Sequence, residues 1–200
     1  QYNNVCLHNE RMIFIMKKHY EVWDEHIEKV LVSEEELEAT VGRIAAEIDR
    51  DYADKNLLLL CILKGSVVFC GDLMKRLSIP CEIDCMKVSS YGSGTTAGVL
   101  KVHLDLKRDD LDSKDVLIIE DCIDTGRTLG GLKRLLQAKG CRSVKTCTLL
   151  DKPSRREVHF TPDYVGKEIP DAFVVGFGLD YDEDYRALPF IGVLKDEYLN

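Results

Sequence analysis

The chain has 200 residues, 45% hydrophobic and 31% charged, with a net charge of −8. That balance fits one globular domain, or one with a small appendage, able to bury a sizeable core. It argues against a large nucleic-acid footprint while leaving room for one small cationic pocket, and no apolar run approaches the roughly eighteen residues of a membrane span.

Residues 1–15 are polar apart from the run at Met12-Ile13-Phe14-Ile15-Met16, which is too short for a signal peptide. Met16-Lys17-Lys18 reads as a natural start, so 1–16 are expected to be a disordered extension and 17–200 a single domain. Ser33 followed by Glu36 forms a capping-box pattern, and Leu37, Val41, Ile44, Ala45 and Ile48 mark one face of the helix behind it. Leu57 to Leu63 is continuously apolar and reads as a buried parallel strand that stops at Lys64-Gly65. Val67 to Leu77 follows as a helix and Cys81 to Val88 as a strand. Ser89 to Gly98 is small and polar, a mobile loop by composition. With the alternating stretch Val99 to Leu106 it suggests a β-ribbon whose loop closes over a site.

Val116-Leu117-Ile118-Ile119 has four apolar residues, three of them β-branched, and reads as a strand buried on both faces. It is expected to end in the adjacent carboxylates Glu120 and Asp121. Asp124-Thr125-Gly126-Arg127-Thr128 then offers an acid, two hydroxyls, a glycine and a cation. Leu129 to Lys139 has helical spacing and Gly140 suits its C-terminal stop. The loop thus lies at a helix N-terminus, where free N–H groups and the dipole favour an anion. Acids for sugar hydroxyls or metal beside a phosphate cradle point to a phosphorylated sugar. Val144 to Leu150 is the next strand, ending at Lys152-Pro153. Tyr164-Val165, Phe173-Val174-Val175 and an acidic, aromatic stretch to Tyr185-Arg186 close the chain.

Strands alternating with helices imply an α/β fold with a mainly parallel sheet, in which ligands bind beyond the carboxyl ends of the strands. Lys64-Gly65, Glu120 to Thr128, Lys152 and the residues after Val175 all fall at such ends. Eight cysteines lack any C-x-x-C pair and read as reduced thiols rather than disulfides or a zinc site. Cys122 is read as a small side chain packing under the loop. His8, His19, His26, His103 and His159 form no cluster in sequence.

The 116–128 segment resembles the phosphoribosyl-pyrophosphate (PRPP) motif of type I phosphoribosyltransferases. The companion stretches Leu63-Lys64-Gly65, Ser89-Ser90-Tyr91-Gly92, Lys152-Pro153-Ser154-Arg155-Arg156, Pro162 to Gly166, Glu168-Ile169-Pro170, Phe173 to Gly176, Gly178 to Tyr181 and Tyr185-Arg186 narrow the resemblance to the hypoxanthine–guanine phosphoribosyltransferases, especially the short bacterial kind. The likeness runs from about Lys18 to about Leu194, in order and at the family's spacing. It implies the type I phosphoribosyltransferase fold, a twisted, mainly parallel sheet flanked by helices, with a small hood built from the N- and C-terminal segments and a flexible β-ribbon loop.

The implied activity is Mg²⁺-dependent transfer of ribose 5-phosphate from PRPP to a 6-oxopurine. Glu120 and Asp121 would hold the ribose hydroxyls, directly or through Mg²⁺, with Asp180 as a second metal position. Asp124 would exchange a proton near purine N7, alongside or instead of capping the helix. Thr125, Gly126, Arg127 and Thr128 would hold the 5′-phosphate, Arg127 lending charge from the rim or simply solvated. Lys64 and Gly65 correspond to the pyrophosphate loop, where a non-proline cis peptide can precede the lysine; Arg186 would bind pyrophosphate as well. Lys152 would donate to the 6-oxo group and Phe173 stack on the base, with carbonyls near Val174 and Asp180 facing a 2-amino group. Ser90 and Tyr91 belong to the closing loop. Lys167 stands where the family often has an aromatic, and Val102-His103-Leu104 replaces a more usual basic–acidic pairing. A cytoplasmic homodimer or homotetramer, with no nucleic-acid or membrane partner, is the expected setting. The alternatives are a regulator that retains the PRPP site and a transferase for xanthine or another base.

Overall fold

Ser33 caps the first helix reciprocally: its Oγ accepts from the Glu36 N–H at 3.2 Å, and its own N–H donates to the Glu36 carboxylate at 3.0 Å. The computed structural model describes residues 25–91 and 99–199. Helix α1 (Glu34–Asp51) buries Leu37, Val41, Ile44, Ala45 and Ile48, the five residues its periodicity singles out. Helices α2 (Val67–Arg76) and α3 (Arg127–Ala138) follow. Gly140 has φ of +86° directly after α3, where the chain leaves the helix.

Six strands, β2 (Leu57–Ile62), β3 (Cys81–Tyr91), β4 (Val99–Leu104), β5 (Asp115–Ile123), β6 (Ser143–Asp151) and β7 (Tyr164–Glu168), form one sheet in the order β4-β3-β2-β5-β6-β7. Every pairing is parallel except β3 with β4. The unbroken apolar runs of β2 and β5 follow from this geometry, because successive side chains face opposite sides of a sheet covered on both. Leu57, Leu59, Leu117 and Ile119 join the core under α1 and α2, while Leu58, Leu60, Val116 and Ile118 join the one under α3. At the amino end of β5, Asp115 accepts from Arg142, from Ser143 Oγ at 2.6 Å and from the Asn56 N–H at 3.2 Å. A separate antiparallel sheet, β1-β9-β8, combines Ile27–Val32 with Ile191–Leu194 and Val174–Val175. This small sheet joins one early strand to two late ones.

Several expectations shift. Strand β5 does not end at Glu120 but runs to Ile123, since Glu120, Cys122 and Ile123 still pair with Thr148, Leu150 and Asp151 of β6. The ladder with a neighbouring strand outlasts the apolar pattern. Ser89, Ser90 and Tyr91 belong to β3, paired with Lys101, Leu100 and Val99, rather than to the loop. His103 Nε2 lies 2.9 Å from Ser89 Oγ across this ribbon. Residues 92–98 of the expected loop and the expected extension 1–16 lie outside the described residues, as do His8 and His19. Strand β4 stops at Leu104, and α3 starts two residues early, taking Arg127 and Thr128 into its first turn. The segment after Val175 leaves the antiparallel sheet, so three of the four chemical segments, not four, cap parallel strands. Lys167 reaches Glu36 at 2.9 Å and ties β7 to α1.

Candidate active site

Strands β2, β5 and β6 bring their carboxyl ends together because they are neighbours in register. The end of β2 is Leu63-Lys64-Gly65, with a cis peptide between Leu63 and Lys64. Gly65 must lack a side chain: a Cβ there would occupy the position of Asp121 Oδ2. Its carbonyl also leaves no room for a side chain on Gly178, where φ is +103°. One glycine thus joins the β2 loop, the end of β5 and the turn after β8.

Glu120 and Asp121 stand half-buried at the end of β5. Burial, and then the charge of Asp121, raises the Glu120 carboxyl well above its usual range. Burial also raises Asp121, opposed by the Cys122 N–H, which donates to Oδ1 at 2.7 Å. Two acids held this way are poised for hydroxyl donors or a cation. Burial pushes the adjacent Cys122 thiol up to about 12, so it carries no thiolate at neutral pH.

Beyond β5 the chain turns at Gly126, which has φ of +79° and is the N-cap of α3. Asp124 therefore does not cap the helix, because its side chain sits two residues too early. Its Oδ1 lies 3.5 Å from Lys152 Nζ instead. Lys152 is only 9% exposed, so a cation is held inside the molecule at the end of β6. Glu120, Cys122, Asp124, Thr125, Gly126 and Thr128 line a cavity of about 320 Å³ at this turn. Thr125 Oγ1 accepts from the Arg127 N–H at 3.3 Å. Arg127 Nε donates to Glu157 at 2.6 Å in an exposed pair, so the side chain is tied to the 152–158 segment rather than simply solvated.

A second cluster faces the β2 loop. Lys64 Nζ lies 2.7 Å from Glu183 Oε1, and Arg186 Nη2 lies 3.0 Å from both Glu183 Oε2 and Asp180 Oδ1. Arg186 Nη1 also donates to the Gly178 carbonyl at 2.8 Å. Asp180 is thus paired with Arg186, whose charge also acts on Asp121. Among the described residues no group of three acids, histidines or cysteines gathers as a metal cage. Phe173 is 43% exposed and meets the Tyr181 ring edge-on at 5.4 Å, which makes it a surface platform rather than core packing. Val174 beside it is buried. Ser90 and Tyr91 are placed by backbone alone, at the end of β3.

Sequence reasoning missed two residues of this site. Glu183 was legible only as one acid of a closing acidic stretch, with nothing to say that it meets Lys64. Arg156 stood in the run after Lys152, yet its guanidinium binds the Asp124 carbonyl and the Asp151 carboxylate together.

Residues 30–182 match the phosphoribosyl transferase domain family. A hypoxanthine-guanine phosphoribosyltransferase of Lactococcus lactis is 51% identical over 178 residues, which cover 88% of this chain and 96% of that one. One from Streptococcus thermophilus is 45% identical, with 88% and 98% covered. The crystal structure of a hypoxanthine phosphoribosyltransferase from Staphylococcus aureus superposes with a TM-score of 0.85 at 45% identity, covering 90% of this chain and 97% of that chain. With the family model spanning most of the chain and relatives at 45–51% identity over 88% of it, the chain belongs to the hypoxanthine–guanine phosphoribosyltransferases.

Proposed function

We propose that the chain transfers the ribose 5-phosphate of PRPP to N9 of hypoxanthine or guanine, forming IMP or GMP and pyrophosphate. The observation that carries this reading is the buried Lys152, 3.5 Å from Asp124, a residue that lines the 320 Å³ cavity at the phosphate turn. In the reaction, purine N9 bonds to C1′ as the bond from C1′ to the pyrophosphate oxygen breaks, its electron pair leaving with that oxygen. Asp124 takes the proton that the purine loses at N7. Lys152 donates to the 6-oxo group, which favours 6-oxopurines over adenine, whose exocyclic amine is itself a donor. Phe173 offers its exposed face to the base. The amides and hydroxyls of Thr125 to Thr128 hold the 5′-phosphate, while Lys64 and Arg186 hold pyrophosphate.

Glu120 and Asp121 accept from the ribose hydroxyls and counter positive charge at C1′. Their hard oxygens, with those of Asp180, suit Mg²⁺, an ion that retains waters and binds through one or two carboxylates plus substrate phosphates. When bound, Mg²⁺ supplies charge neutralisation to the departing pyrophosphate. A cytoplasmic homodimer or homotetramer is the proposed form, checked by sedimentation of the purified protein.

The test is a spectrophotometric assay with PRPP, Mg²⁺ and hypoxanthine, guanine or xanthine in turn. Turnover of hypoxanthine or guanine is expected; PRPP binding without turnover of either would sink the reading. Asp124→Asn should lower kcat by about a hundred-fold or more, the usual worth of a placed general base, with PRPP affinity little changed. An unchanged rate removes Asp124 from proton transfer.

A further inference from the structure

We infer that Arg156 is a positioning residue: from behind, it turns the backbone amides of the phosphate turn toward their ligand. The inference rests on the PRPP reading of that turn and names what holds the turn in its binding shape.

Three successive carbonyls of the turn accept from donors of one segment. The Ile123 carbonyl receives the Lys152 N–H at 3.0 Å, the Asp124 carbonyl receives Arg156 Nη1, and the Thr125 carbonyl receives the N–H groups of Glu157 and Val158 at 3.1 and 3.3 Å. In a planar trans peptide the carbonyl and the next N–H point opposite ways. Drawing these carbonyls toward 152–158 therefore turns the N–H groups of Asp124, Thr125 and Gly126 away from it. Those of Thr125 and Gly126 meet no acceptor among the described residues. The cavity at the turn is lined by Asp124, Thr125 and Gly126 but by no residue of 152–158. Pro153, Arg156 and Val158 line a different cavity. The amides and the segment that orients them thus face different spaces.

Of the three carbonyls, only that of Asp124 is held by a side chain. Arg156 spans to it from β6, with Nη2 on Asp151 Oδ1 and Nη1 on the turn. Both Arg156 and Asp151 are largely buried there. A planar fork serves two acceptors at once, which an ammonium on a flexible stem does poorly. The fit has little slack, since a Cβ on Gly126 would lie 3.0 Å from Arg156 Cδ. The segment that starts with Lys152 therefore serves both halves of the reaction, the purine through its lysine and the phosphate through its arginine.

The test is calorimetric titration of ribose 5-phosphate, and separately of pyrophosphate with Mg²⁺, into the native protein, Arg156→Met and Arg156→Lys, with a melting curve for each. Ribose 5-phosphate affinity should fall at least about ten-fold in Arg156→Met, the worth of one misdirected charge-assisted hydrogen bond. Arg156→Lys, which keeps a cation for Asp151 and so preserves the fold, should recover only part of it. Pyrophosphate affinity should stay within about two-fold, because Lys64 and Arg186 belong to other segments. Ribose 5-phosphate affinity that stays at the native value in either folded variant, or an equal loss for both ligands, overturns the role of Arg156. A native protein that fails to bind ribose 5-phosphate overturns the reading of the turn itself, a separate result.

Discussion

Replacing Lys152 by methionine isolates the chemistry of one amino group, because the methionine chain fills nearly the same space as the lysine stem. Lys152 is 9% exposed, but its partner Asp124 has a side chain 46% exposed at 3.5 Å. Solvent screens such a pair, so losing it costs at most about 1 kcal/mol of stability, and an apolar side chain is better tolerated than a lysine in that buried setting. Melting should therefore move little. Purine recognition should move a great deal. A charged donor to a carbonyl is worth about 1.5–3 kcal/mol, which corresponds to a fall of about 10–150-fold in kcat/KM for hypoxanthine or guanine. The assay is steady-state turnover with each substrate varied against saturating co-substrate. The KM for PRPP should change far less than that for the purine, because the phosphate turn does not use this amine. A kcat/KM for hypoxanthine within about three-fold of the native value would refute the role given to Lys152, as would an equal rise in the KM for PRPP.

Two further outcomes follow from the charges around the site. Lys64 and Arg186 hold the Glu183 carboxyl below its usual range, so an anion spans the two pyrophosphate cations at neutral pH. Lys64 and Glu183 are well exposed, and Glu183→Gln should tighten pyrophosphate binding by only about two- to five-fold by calorimetry; weaker binding would show that Glu183 organises the cations instead. Glu120 titrates the other way, because burial and the charge of Asp121 raise it well above 4.5 when folded. The folded protein then holds this proton more tightly than the unfolded chain, and stability falls as pH climbs above 4.5 toward the raised value. Below that window the penalty is absent. Glu120→Gln should therefore lose less melting temperature than the native protein as pH rises from 4.5, and parallel curves would exclude the effect.

The local features of this chain were legible because their causes are local. The capping box spans Ser33 to Glu36, and the burial of β2 and β5 on both faces is written in their unbroken apolar runs. Gly140 stops α3 for a reason internal to its own backbone. The acids and hydroxyls of 120–128 lie so close in sequence that their shared site needed no tertiary knowledge. The boundaries that slipped did so where a neighbour decided them. The ladder with β6 carries β5 past its last apolar residue, and pairing with β4 draws Ser89 to Tyr91 into β3.

Sequence alone therefore determined the alternating α/β order, the acid- and hydroxyl-rich turn after the β5 apolar run, and the residues proposed to meet the two substrates. Only the tertiary structure decided that Asp124 faces Lys152 rather than its helix and that Arg127 is bound by Glu157. It also placed Asp121 over Gly65, Glu183 between Lys64 and Arg186, and Arg156 behind the turn. Arg156 and Asp124 are 32 positions apart, and Lys64 and Glu183 are 119 apart. Contacts at such separations leave no period or spacing along the chain; they exist only once the sheet sets the ends of β2, β5 and β6 side by side.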